Sequence, residues 1–172
     1  LLFEAAWEVC SQTGGIYTVL RSKAPAAVSR WGDNYVLVGP YHEAAARVEF
    51  EPAPIGGVVG DAVEAIRQTG VEIHTGRWLI TGRPCVILIN VRSAWHKIGE
   101  WKYLLWKDHG IGVPDGDWQV EEYVAFGNIM ADFLASVRER AGNQPMLAHF
   151  HEWQAAVAIP RLKHRGAKIP LV

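Results

Sequence analysis

Cysteine is scarce in these 172 residues: Cys10 and Cys85 are the only two, and their separation fits no metal-knuckle or redox spacing. They read as reduced structural thiols and the chain as a cytoplasmic protein. Long apolar runs are missing too, and no stretch approaches the roughly 20 residues of a membrane-spanning helix. Nor is there an excess of charge of either sign. Lys and Arg number 17 against 18 Asp and Glu, a formal net charge of −1. That balance excludes the basic field of a nucleic-acid binder and the Lys/Arg runs of a membrane-surface protein. Neither a Gly-x-Gly-x-x-Gly turn nor a Gly-Lys-Ser/Thr loop occurs. A nicotinamide dinucleotide and a P-loop nucleotide are therefore disfavoured. Internal repeats and low-complexity tracts are also absent.

What is present is the composition of one globular domain, 49% hydrophobic and 20% charged. Short apolar runs alternate with helical periodicity, the mark of a βαβ architecture. Strands are predicted over Leu2–Val9, Asn34–Tyr41, Val71–Ile80, Pro84–Val91, Met146–Phe150 and Lys168–Val172. The unbroken run Val86-Ile87-Leu88-Ile89 suits a strand covered on both faces. Helices are predicted over Ile16–Ser29, Gly60–Thr69, Ala94–Asp108, Trp118–Arg140 and Glu152–His164, with Pro160 kinking the last or shifting its start. In the fourth, Tyr123, Phe126, Met130, Phe133, Leu134 and Val137 share one face, and Glu121, Glu122, Asp132, Arg138 and Glu139 form a polar side. Asp117 is placed to cap it. Pro52–Gly60 and Gly110–Asp117 read as loops. Thr81-Gly82-Arg83-Pro84 reads as the turn of a hairpin of two edge strands. The sheet is thus expected to be mixed, with a mainly parallel centre. Both ends of the sequence read as strand, so the chain is expected to be part of a longer protein.

Two segments have the residue types of a site. Ser11-Gln12-Thr13-Gly14-Gly15 joins the first strand to the first helix, where glycines let a ligand approach the backbone and the helix N-terminus favours phosphate. The same segment also serves as a plain tight turn. His149-Phe150-His151-Glu152 lies at the carboxyl end of a strand, where open α/β sheets place ligands. The His-x-His pair invites a metal, but no third ligand has matching spacing. Glu152 suits either a cleft carboxylate or a helix cap. Trp95, Ile98, Trp101 and Leu105 form a helical stripe of core type.

Several blocks together resemble the eukaryotic-type glycogen synthases. They are Trp7-Glu8-Val9 with Gly14-Gly15-Ile16-Tyr17-Thr18-Val19-Leu20, Trp31-Gly32-Asp33-Asn34-Tyr35 running into Leu37-Val38-Gly39-Pro40-Tyr41, and Gly76-Arg77-Trp78-Leu79-Ile80. Ser93-Ala94-Trp95, Gly110-Ile111-Gly112-Val113-Pro114 and His149-Phe150-His151-Glu152-Trp153 complete the set, in the family's order.

The resemblance implies the Rossmann-like N-terminal domain of a two-domain GT-B glycosyltransferase over residues 1–172, with the C-terminal nucleotide-binding domain lying outside this sequence. It implies retaining transfer of glucose from UDP-glucose to the 4-hydroxyl of an α-1,4-glucan. No metal or other cofactor is expected. The partners it implies are UDP-glucose, glycogen, the protein's own C-terminal domain and further copies of the full-length chain, with no nucleic acid and no membrane. Under it, Gln12, Thr13, Gly14 and Gly15 become donor-binding candidates, Glu152 a catalytic carboxylate, and His151 and Tyr17 sugar-proximal. The family usually has Lys or Arg two positions before the glycine pair; here stands Gln12, which offers a hydrogen bond but no charge. Arg21 or the second domain is then expected to supply the cation. A non-catalytic glucan-binding module is the competing expectation.

Overall fold

The computed structural model describes all residues from Leu1 to Val172. Its strands are β1 (Leu2–Ala5), β2 (Tyr35–Pro40), β3 (Phe50–Pro52), β4 (Glu72–Trp78), β5 (Cys85–Asn90) and β6 (Leu147–Phe150). The helices are α1 (Ile16–Trp31), α2 (Glu43–Glu49), α3 (Gly57–Arg67), α4 (Ile98–His109), α5 (Trp118–Ala141), α6 (Glu152–Ala156) and α7 (Ala158–His164). The strands make one sheet in the order β3-β4-β5-β2-β1-β6. From β5 to β6 the pairing is parallel, and β3, β4 and β5 pair antiparallel. This is the expected mixed α/β sheet with a parallel centre.

Alternation along the strands covers both faces. Phe3, Ala5, Val36, Val38, Cys85, Ile87 and Ile89 face a core completed by α3, α5, α6 and α7. Leu37, Val86 and Leu88 face the other way, onto a smaller core holding Tyr17 and Leu20 of α1 and Ala46 of α2. That two-sided burial is why the strands read as continuous apolar runs. Trp101 and Leu105 of the aromatic stripe are buried in the larger core.

Several expectations are corrected. The first strand ends at Ala5, because Trp7–Cys10 turn away from the sheet and Cys10 takes φ +56°. Only one bridge forms near the C-terminus, Ala148 with Leu171. The predicted loop from Pro52 contains the end of β3 and the start of α3. Gly82 and Arg83 turn the β4–β5 hairpin with positive φ, but its strands lie inside the sheet and β3 forms that edge. Of the polar side predicted for the fourth helix, Glu139 is exposed, Glu121, Asp132 and Arg138 are half-buried, and only Glu122 is buried. Asp132 takes a two-pronged bond from Arg161 at 2.9 and 3.1 Å and another from Arg165, and buried Glu122 takes Arg92 at 3.0 Å. Glu122 is buried and Asp132 half-buried because α5 is hemmed in by α3, α4 and α7. The last predicted helix breaks at Val157, so that Pro160 falls in the first turn of α7, where its missing N–H costs nothing.

Candidate functional site at the carboxyl ends of strands 1 and 6

The chain leaves β1 toward β2 on one side, while β6 joins β1 on the other and the chain runs on outward to the Leu171 bridge. Connections that diverge from adjacent parallel strands open a crevice at their carboxyl ends, and ligands of open α/β sheets bind in such crevices. A cavity of about 140 Å³ lies there. Trp7, Glu8, Thr13 and Ile16 wall it from the β1–α1 side, His151, Glu152 and Gln154 from the β6–α6 side, and Gln119 and Tyr123 from α5. A second cavity of about 620 Å³ shares Trp7, Gln119 and Tyr123 and extends over the ends of β2 and β5, past Tyr41, His42 and Arg92.

Positive-φ backbone follows both strands that form this crevice. Non-glycine residues with positive φ number three in the chain, and two of them, Cys10 and Glu152, follow β1 and β6. Glu152 at φ +60° opens α6 with an exposed side chain and lines the smaller cavity. A left-handed glutamate costs about 1–3 kcal/mol and persists where the surroundings demand it, which is common at ligand sites.

The glycine turn is organised by Glu8. Its Oε2 accepts the Gly14 N–H at 2.7 Å and the Tyr17 N–H at 3.1 Å. An internal carboxylate therefore holds two of the amides that would otherwise meet an anion at the head of α1. Gly14 is required for this, since a Cβ there would lie 2.8 Å from Glu8 Oε1, whereas Gly15 faces open space. Gln12, Thr13, Gly14 and Gly15 are all exposed, and of the four only Thr13 lines the cavity.

The structure does not bring Tyr17 to the cavity. Its ring packs edge-on against Trp78 in the smaller core and its hydroxyl donates to Glu49 at 2.9 Å. Burial and then Glu49 push the phenol up. Arg21 does not line the cavity either, and no Lys or Arg does.

Behind His151 lies a buried cluster that the sequence reading missed. Glu4 of β1 is 2% exposed. It receives Lys23 and the Tyr35 hydroxyl, and it faces His149 Nδ1 at 3.1 Å and His151 Nε2 at 3.3 Å. Burial pushes the Glu4 carboxyl up, but the bonds from His151, Lys23 and Tyr35 together outweigh it and hold the group at about 2. Burial, then the hydrogen bond to Glu4, drives the Tyr35 phenol far above its ordinary range. His149 is pushed down, by burial and then by His151. A lone Glu inside Leu1-Leu2-Phe3-Glu4-Ala5-Ala6 was the available signal, because a carboxylate buried in a strand requires partners.

Glu4 also stands where the His-x-His pair lacked a third possible ligand. Ligand atoms of Glu4, His149 and His151 lie within 4.8 Å of one another. Lys23 already supplies positive charge to that carboxylate, so the group is neutralised by a side chain.

An open, mainly parallel sheet with its crevice at a switch point defines the class: a Rossmann-like α/β domain. A profile described as Glycogen synthase matches residues 4–172. The chain is 39% identical over 172 residues to the liver glycogen [starch] synthase of Rattus norvegicus, covering 99% of this chain and 24% of that protein. It is 42% identical over 173 residues to glycogen [starch] synthase of Neurospora crassa, covering 100% and 24%, and 38% identical over 169 residues to isoform 1 of Saccharomyces cerevisiae, covering 93% and 24%. This chain belongs to the glycogen synthase family. It spans about a quarter of the length of the curated relatives it matches.

Proposed function

We propose that this chain is the acceptor-side half of the cleft of a glycogen synthase, which transfers glucose from UDP-glucose to the 4-hydroxyl of an α-1,4-glucan with retention. The observation that supports this most is the switch-point cavity, walled by Glu8, Thr13, His151 and the strained Glu152 in a chain of this family. Glu152 orients the transferred sugar through its hydroxyls, with His151 beside it. Thr13 and the exposed backbone of Gly14 and Gly15 meet the donor, and Gln12 offers an amide hydrogen bond near its diphosphate. In the retaining step the acceptor O4 bonds to the glucose C1 as the bond from C1 to the diphosphate oxygen breaks. The O4 proton passes to a departing phosphate oxygen on the same face.

No Lys or Arg lines the cavity, so the charge of the leaving diphosphate is met from the C-terminal domain across the cleft. The larger cavity lies within the roughly 300–1,000 Å³ range of ligand pockets and seats the glucan acceptor. The protein works in the cytoplasm, without a metal, as an oligomer of full-length chains. No helix here is long and apolar enough to cross a membrane.

The test mixes full-length protein with UDP-glucose and glycogen and follows UDP release. Turnover that is lost in Glu152→Ala is expected. No turnover above a heat-inactivated control would favour the second reading, a glucan-binding module without catalysis, for which the neutral Gln12 speaks.

A further inference from the structure

Glu4 touches neither cavity, yet it is the most heavily partnered side chain in the domain. Its carboxylate contacts α1 through Lys23, β2 through Tyr35, β6 through His149 and the start of α6 through His151. His151 alone among these partners also lines the switch-point cavity, with a side chain only 10% exposed. The pairing of β1 with β6 creates this geometry, because Glu4 sits opposite His149 in the parallel register and His151 follows two residues on.

We infer that Glu4 is a positioning residue for the transfer site and that it acts through His151. A carboxylate on an imidazole nitrogen fixes which nitrogen carries the proton and how the ring is turned. With Nε2–H donating to Glu4, Nδ1 becomes the acceptor, and Nδ1 makes no hydrogen bond within the chain. The ring is thereby offered to the cavity as a hydrogen-bond acceptor for a sugar hydroxyl. Lys23 and Tyr35 hold the carboxylate in place so that it does not swing with the ring. His149 shares the same carboxylate from the neighbouring strand position but does not line the cavity.

The inference rests on the proposed transfer reaction for its kinetic consequence but not for its structural one, and the two are tested separately. In full-length protein, Glu4→Gln keeps the shape of the side chain and removes its charge. The expected result is a kcat lower by tenfold or more, with KM for UDP-glucose changed by less than threefold. His151→Gln is expected to fall similarly, and the double variant to be no worse than His151→Gln alone, since one residue acts through the other. Additive losses in the double variant, or a Glu4→Gln enzyme with the wild-type kcat, would overturn the inference.

A second measurement does not depend on the variant folding. Nitrogen-15 NMR of histidine-labelled wild-type protein at pH 8 is expected to show His151 in the Nε2–H tautomer alone. A mixture of tautomers, or the Nδ1–H form, overturns the inference whether or not the protein transfers glucose. Absence of transfer with a locked tautomer would instead count against the proposed function.

Discussion

Gly14 and Gly15 stand side by side in sequence and differ in what they do. A methyl at Gly14 would meet the Glu8 carboxylate at 2.8 Å and dislodge it from the two amides it caps. Loss of such a cap costs about 1 kcal/mol, so Gly14→Ala is expected to lower the thermal midpoint by a few degrees. Gly15 has right-handed backbone, φ −83°, and nothing within 4 Å of a built Cβ. Gly15→Ala is therefore expected to leave stability within about 0.5 kcal/mol of wild type. Any rise in KM for UDP-glucose in that variant reports a ligand pressed against the backbone, because folding offers no other reason. An unchanged KM would remove Gly15 from the donor site. Glu4 makes the other prediction at this scale. Its folded carboxyl lies at about 2, against an ordinary 4.5, so the unfolded chain binds the proton more readily. The resulting stability, on the order of 3 kcal/mol, is present in full above the ordinary range and drains away as pH falls from about 4.5 toward 2. His149, also lowered, acts in the same sense at milder acidity. Urea unfolding across pH 6 to 3 should show stability falling in wild type, and a flatter profile below pH 4.5 in Glu4→Gln.

Among the elements, the break between α6 and α7 is fixed from outside as much as by Pro160. Gly127, in the middle of α5, allows the chain at Val157 and Ala158 to pass against it: a Cβ there would lie 2.8 to 2.9 Å from their backbone atoms. Gly127→Ala is expected to destabilise by about 1–3 kcal/mol through overpacking, read as a lower urea midpoint with an unchanged slope. A neutral result would show that α7 is free to shift. This contact also marks where sequence reading stops. The long helix of α5 was legible because its apolar face is wide, and β2 and β5 because their runs are unbroken. α2 and β3 were not, since seven residues and three residues carry too little periodicity, and two of the three in β3 are exposed. One polar residue of α5 misled for a related reason. Charge at helical spacing normally means solvent, as it does at Glu139, but the tertiary pairing with Arg92 lets Glu122 be buried.

At the scale of the molecule, the same limit governs the site. Thr13, His151 and Glu152 could be singled out from their places after two strands, and the fold brings them to one cavity. Glu8 as the helix cap depends on how the turn after β1 folds back on itself, and Glu4 behind His151 on which strands neighbour one another, neither of which the sequence alone says. The switch-point cavity is acidic, walled by the Glu8 and Glu152 carboxylates and no Lys or Arg. A diphosphate carries negative charge, and here the head of α1 is already engaged by Glu8. Opposition from fixed carboxylates and a capped helix end leaves this half suited to sugar hydroxyls rather than to phosphate. A polypeptide of residues 1–172 is therefore expected to bind a neutral maltooligosaccharide measurably by calorimetry, and UDP-glucose no better than millimolar. If it held UDP-glucose at micromolar affinity, the diphosphate would have found its cations within this domain, and the division of labour across the cleft would be wrong.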